Sequence, residues 1–310
     1  MAPNNSPYRA TGSTIRGRAS TRLIALLCLL LAVVVVLSVA LPGFSSAPNV
    51  NGLIAAAAPT LMIAVGQTLV MIAAGIDLSV GAVAGFAGVV VALGSQAGLP
   101  LAASATLALA VGAGIGLWHN FGIARLRVPP FVMTLSTVAL LHGVSGAVGG
   151  RVGIAALKPG LSAEVWAAIA VAVLASWGLH RTRAGRSLFA VGSDAEAARL
   201  AGVDVPRIRV SAYVLCSILA ALAGLFAPAT SSAGMGWTID SIAATLMGGT
   251  SLLGGIGTLP GAVLGSLLLS IVSDAATLLT AQPLWHDIIA TAIIVAAAAV
   301  DRRRRRGYQE

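Results

Sequence analysis

Charge is what this chain has least of: Asp, Glu, Lys and Arg make up 9% of its 310 residues, against 57% hydrophobic. A soluble domain carries about a quarter of its residues as charges, so the composition, with a mean hydropathy of +0.94, describes a chain whose solvent is mostly lipid. Cysteine is nearly absent. Cys28 and Cys216 both sit in apolar runs, which excludes a disulfide framework and a thiolate metal site. The four histidines, His119, His142, His180 and His286, are scattered, and neither Gly-x-Ser-x-Gly nor His-Glu-x-x-His occurs. No catalytic set, metal site or cofactor site is expected on this chain. The net charge of +9 would suggest nucleic acid as a partner, but the arginines stand between apolar runs and not across one folded face, which argues against it.

Apolar runs are what the chain has in abundance. A hydrocarbon core of about 30 Å takes about 20 apolar residues to cross as a helix, and ten such stretches occur, at 23–41, 51–73, 78–94, 101–118, 131–148, 163–179, 210–229, 239–253, 259–279 and 288–300. The expected fold class is an all-α integral membrane protein, a polytopic bundle of about ten transmembrane helices. The stretches at 239–253 and 288–300 are short and glycines interrupt others, so some segments are expected to be tilted, broken or re-entrant. With the N-terminus inside, every basic residue except Arg151 and Lys158 falls on the cytoplasmic side, the arrangement the positive-inside rule requires. An even number of spans then leaves both termini cytoplasmic in a bacterial inner membrane. Residues 1–22 read as a disordered basic tail, 23–301 as the membrane domain with a long charged loop at 180–209, and 302–310 as a second basic tail. Ser38-Val39-Ala40 has cleavage-like spacing, but the apolar run is too long for a usual signal peptide, so an uncleaved first helix is expected.

The charged island Gly185 to Arg209 is the exception to the composition. Ser193 can cap a short helix, Glu196 three residues on completes a capping-box pattern, and Gly202 supplies a stop. A helix over about 194–201 would either lie in a groove of another protein or simply close the loop. Asp77, between Gly75-Ile76 and Leu78-Ser79-Val80-Gly81, is placed to cap the following span with help from Ser79, or to touch solute directly. Asp240 precedes the glycine-dense run Met247 to Gly257, which contains Gly248, Gly249, Thr250 and Ser251. That run either lets helices approach closely or unwinds around a pathway; it lacks Gly-Lys-Ser/Thr, so it is no phosphate loop. Thr134, Ser136 and Thr137 follow Pro129-Pro130 and either line an aqueous path or bond back to their own helix. Trp237, Asp240, Asp274, Trp285, His286 and Asp287 are the outward-facing candidates. Gly75-Ile76 with Gly81-Ala82-Val83 and Gly85 recurs 180 residues later from Gly255; duplication and coincidence among common residues both remain open.

These motifs, in this order, resemble those of permease subunits of bacterial ATP-binding-cassette importers for monosaccharides, the ribose, xylose, arabinose and galactose type, within the branched-chain-amino-acid/ribose family of binding-protein-dependent permeases. The resemblance lies in Gly75 to Gly81, Val128-Pro129-Pro130-Phe131 with Thr134-Leu135, Gly185 to Val205 with Tyr213, Asp240 to Gly257, and Trp285 to Asp301. It implies that Arg186, Asp194, Glu196, Ala197, Ala198, Arg199, Leu200 and Gly202 belong to a coupling helix that seats in a cytoplasmic ATPase. It places Asp77, Ser79, Gly81, Thr134, Asp240, Gly248, Gly249, Thr250 and Ser251 in the pathway or its structural frame. The partners implied are that ATPase, which carries ATP and Mg, a periplasmic or lipoprotein solute-binding protein, a second permease copy and membrane lipid. Relatives also carry signalling furanones. Ala74 stands where the first of two glycines is usual, Thr238-Ile239 where Glu-Leu is common, and Ser273-Asp274 in place of an Asn/Gly-rich pair. The competing reading, an ion-coupled secondary transporter, calls for coupling carboxylates at mid-membrane, whereas Asp77, Asp240 and Asp274 fall near the ends of the expected spans.

Overall fold

The computed structural model describes residues 11–149, 161–226, 233–279 and 284–306. They form helices α1 (Thr11–Ala40), α2 (Ala47–Ile72), α3 (Val80–Gln96), α4 (Leu101–Asn120), α5 (Pro130–Gly149), α6 (Leu161–Arg181), α7 (Arg183–Ser193), α8 (Ala195–Leu200), α9 (Val205–Phe226), α10 (Ala233–Met247), α11 (Leu259–Leu278) and α12 (Leu284–Arg306). All of them but α7 and α8 match the ten apolar stretches of the sequence. Seven contain a segment long and apolar enough to cross a membrane, while α3, α10 and the apolar part of α12 (Ile288–Ala299) are shorter. Helix α1 begins at Thr11, inside the segment expected to be an unfolded tail; residues 1–10 and 307–310 lie outside the described residues.

The stretch expected at 239–253 is displaced. Helix α10 starts at Ala233 and stops at Met247, because Gly249 turns left-handed with φ +86°, a conformation glycine adopts without steric cost. A Cβ on Gly248 would land on the Gly261 backbone, so that glycine serves the close approach of α10 to α11. Asp240 therefore lies within a helix and not at its end.

Helix α2 is the core. From Ala57 to Ile72 every residue is buried, the mark of an apolar helix surrounded by others. Helix α9 lies against α2, α3 and α4 through small residues: Gly66 against Cys216, Gly112 against Ala221, Gly116 against Val214. Lipid gives helices no hydrophobic reason to associate, so close backbone approach at such seams supplies the packing energy. The exposed leucines and valines of α1 and the exposed Trp166, Leu174 and Trp177 of α6 form faces suited to acyl chains.

Candidate functional site

At one end of the bundle α7 and α8 project as a pair. Thr182 starts α7 by accepting from the Gly185 amide at 3.1 Å, and Gly185, Leu188, Val191 and Gly192 turn inward while Arg183 and Arg186 stay exposed. Helix α8 is capped by Asp194, which accepts from the amides of Glu196 (2.9 Å) and Ala197 (3.0 Å). This corrects the expected Ser193 cap. Ser193 still belongs to α7, whose last turn closes with the Asp194 amide on the Ala190 carbonyl at 3.1 Å. The cap is displaced by one residue, and the capping box is not formed: Glu196 turns to Arg199 instead, with Nε on Oε2 at 2.9 Å. That hydrogen bond from Arg199 holds the Glu196 carboxyl below the usual glutamate range and raises the arginine. Gly202, at φ +83°, ends the helix as expected, with the Val203 amide on the Ala198 carbonyl at 3.0 Å.

Of the residues assigned to coupling, Arg186, Asp194, Glu196, Ala197, Arg199, Leu200 and Gly202 are exposed, and Leu200 is bare to 76%. Ala198 is the exception. It packs with Val191 and Val205 and fastens α8 to its neighbours, so it offers nothing to a partner.

The inner end of α7 is keyed into the bundle. A Cβ on Gly192 would land on the carbonyl of Ile72, the last residue of α2. The same carbonyl accepts from the Gly255 amide at 2.9 Å, and a Cβ on Gly254 would meet Ala74 and the Gly192 carbonyl. Ala74 has φ +59°, a strained setting for a Cβ-bearing residue and one where glycine would be at ease. The two segments related by the 180-residue offset thus meet at Ile72 and Gly255.

Beyond this junction lies a buried polar group. Asp77 is fully buried and accepts from the Ser79 amide (2.8 Å) and hydroxyl (2.6 Å), so it does serve the entry to α3, though from inside the bundle. Its other oxygen lies 3.7 Å from His119 Nδ1, and His119 Nε2 is 3.1 Å from the Thr137 hydroxyl. Tyr213 donates to the Ile76 carbonyl at 3.2 Å and sets its ring edge-on to His119, centroids 5.9 Å apart. Thr238 accepts from the Gly81 amide at 3.1 Å. His119 was not foreseen: a lone histidine before a basic loop carries no sequence signal of a partner 42 positions back. Thr134, Ser136 and Thr137 bond back to carbonyls of their own helix, Thr134 to Pro130 at 3.0 Å. Thr250 is buried, and Ser251 accepts from the Leu253 amide at 3.2 Å within the α10–α11 turn.

At the opposite end, α2, α10 and α11 enclose a polar cavity of about 270 Å³. Three outward candidates far apart in sequence, Trp237, Asp240 and Asp274, line it together with Thr60 and Ser273. Asn49 donates to Asp274 at 2.7 Å and also to the Phe44 carbonyl at 3.0 Å, which fixes one carboxylate oxygen. The side chains of Trp285, His286 and Asp287 lie outside those described. A larger cavity of about 720 Å³ between α1, α6 and α11 is lined chiefly by apolar side chains; it suits lipid, and its size does not outweigh its chemistry. Among the described residues no group of three or more His, Cys, Asp or Glu is placed to hold a metal.

A family described as branched-chain amino acid transport system / permease component matches residues 49–298. The chain belongs to that family. The permease is 34% identical over 291 residues to the ribose import permease protein RbsC of Escherichia coli (strain K12), covering 86% of this chain and 89% of that one. It is 35% identical over 253 residues to the autoinducer 2 import system permease protein LsrC of Yersinia pestis (strain Pestoides F), covering 76% of this chain and 72% of that one. No solved structure matches the permease. As a polytopic helical membrane permease it is a transport subunit, and every matched region, from the α2 core to α12, lies in the bundle just described.

Proposed function

We propose that this permease forms the translocation pathway of an ATP-driven importer for a small polyhydroxylated solute, a monosaccharide. The observation that carries the reading is the projecting α7–α8 unit, whose exposed face combines small residues, the Glu196–Arg199 pair and the bare Leu200, and whose buried end rests on the last carbonyl of α2. Such a unit can take a push from a partner and deliver it to the bundle. The partner is a cytoplasmic ATPase that binds ATP and Mg; the α7–α8 end faces the cytoplasm, where the arginines are gathered, and both termini lie on that side. A solute-binding protein delivers to the opposite end, and a second permease copy completes the pathway. The similar ribose and autoinducer 2 permeases support a small polar solute as cargo.

The mechanism asks no covalent chemistry of this chain. ATP binding on the partner favours one arrangement of the helices and hydrolysis releases the other, so exposure alternates from the cavity end to the α7–α8 end. The test is reconstitution of the permease with its ATPase and binding protein in proteoliposomes. Ribose-dependent ATP hydrolysis with ribose uptake supports the reading; a panel of monosaccharides that stimulates neither overturns it.

A further inference from the structure

One face of α2 runs from the polar cavity into the core. Leu53, Ala56 and Thr60 line the cavity, and Gln67 shares their face, since steps of three, four and seven residues return to the same side of a helix with about 3.6 residues per turn. Gln67 is fully buried, and neither its Oε1 nor its Nε2 has a hydrogen-bond partner. A buried carboxamide left in this state is costly and calls for an explanation. Passing solute hydroxyls, which both donate and accept, are groups of the right kind to engage it in transit.

The cavity itself has the chemistry of a site for a polyol. Asp240 and Asp274 supply acceptors for solute hydroxyls, Ser273 and Thr60 can donate or accept, and the Trp237 ring offers a flat apolar surface to the C–H face of a sugar. Asn49 holds Asp274 in place at 2.7 Å, as the few orienting polar groups of a small-molecule site are usually held. Its 270 Å³ corresponds to about nine waters at about 30 Å³ each, room for a single sugar ring and a few waters. Two carboxylates, one already tied to Asn49, fall well short of the roughly six to eight oxygens that a calcium ion takes.

We infer that the cavity between α2, α10 and α11 is the entry subsite for one monosaccharide, held by Asp240, Asp274 and Trp237, and that Gln67 is its next polar contact along α2. This rests on the importer reading above and deepens it: each protomer has its own point of solute contact inside its bundle.

The experiment uses the complete transporter in proteoliposomes with D-ribose. The unmodified complex is compared with Asp240→Asn, Asp274→Asn and Gln67→Leu, with Trp166→Leu on the exposed face of α6 as control and co-purification of the ATPase as the check on folding. Maximal ribose uptake is expected to fall at least tenfold in the three cavity and track variants and to stay unchanged in the control. In a parallel arm Ser273→Cys is labelled with a membrane-impermeant thiol reagent, and saturating D-ribose is expected to slow labelling several-fold relative to the unsubstituted chain. Normal uptake in assembled Asp240→Asn and Asp274→Asn transporters, with labelling indifferent to ribose, overturns the inference and leaves the importer reading standing. An unmodified complex that carries no monosaccharide overturns both. Uptake of lysine in place of ribose by the unmodified complex overturns the polyol assignment.

Discussion

The Gly255 amide donates to the Ile72 carbonyl at 2.9 Å. Gly192 of α7 packs on that same carbonyl, so three segments far apart in sequence converge on one atom. A displacement of α7 is therefore imposed together on the end of α2 and on the α10–α11 turn. Both lead to the polar cavity: Thr60 lies twelve residues up α2 from Ile72, about 18 Å at 1.5 Å per residue, while Asp240 and Asp274 ride on α10 and α11. Coupling surface and solute cavity are thus two ends of the same helices.

Gly192→Ala tests this junction. The added methyl collides with backbone, which cannot swing aside, and overpacking costs about 1–3 kcal/mol. A lowered unfolding temperature in detergent is expected for Gly192→Ala and no change for Gly143→Ala, where nothing lies within 4 Å of the new methyl.

The cap of α8 separates two neighbouring residues. Asp194→Ala removes the acceptor for two amides and costs the helix about 0.5–2 kcal/mol, so hydrogen exchange at Glu196 and Ala197 should quicken. Ser193→Ala should leave those amides unchanged, and the reverse pattern would restore Ser193 as the cap.

Glu196 carries the pH dependence of the same surface. Its carboxyl lies below the ordinary glutamate range because Arg199 hydrogen-bonds to it. The pair's contribution is complete above the unfolded glutamate value and is lost as pH falls through the lowered folded value. Carboxyl NMR should show a midpoint below that of an exposed glutamate, and Arg199→Ala should raise it. An unchanged midpoint in Arg199→Ala would remove the arginine as the cause.

Asp77 is expected to be structural. Asp77→Ala strips acceptors from the Ser79 amide and hydroxyl, each a buried donor whose loss of partner costs about 1–3 kcal/mol. Thermal unfolding should occur well below that of the unmodified chain, and Asp77→Asn, which keeps an acceptor oxygen, should retain much of the difference.

Sidedness follows from single cysteines. Gly98→Cys, in the α3–α4 turn, and Ser193→Cys should react with an impermeant reagent from opposite faces of the membrane. Labelling from one face would contradict the orientation proposed for the bundle.

Much of the bundle was legible because lipid leaves a strong imprint: an apolar run about 20 residues long has few alternatives to a spanning helix. The error at 239–253 arose where that signal fades. Leu252 and Leu253 kept the run apolar, but the left-handed Gly249 had already ended the helix, and glycine in sequence does not announce its φ. Gly202 was legible as a stop because polar residues surround it. The coupling loop showed itself by charge, yet the choice between Ser193 and Asp194 as cap turned on where α7 ended, a matter of packing against Ile72. The cavity was half legible. Trp237, Asp240 and Asp274 were each marked as outward candidates, but their meeting depends on α2, α10 and α11 lying side by side, and Gln67 gave no sign of burial without a partner.

The most direct test of the account is the effect of Leu200→Asp on capture of the partner ATPase and on its ribose-stimulated ATP hydrolysis. Burying a leucine is worth about 1.5–3 kcal/mol, and Leu200 is the large apolar side chain left bare on α8. The account predicts ATPase affinity weakened by at least about tenfold and stimulated hydrolysis lost, in a permease that still folds. Full ATPase capture and full ribose stimulation in Leu200→Asp would contradict it.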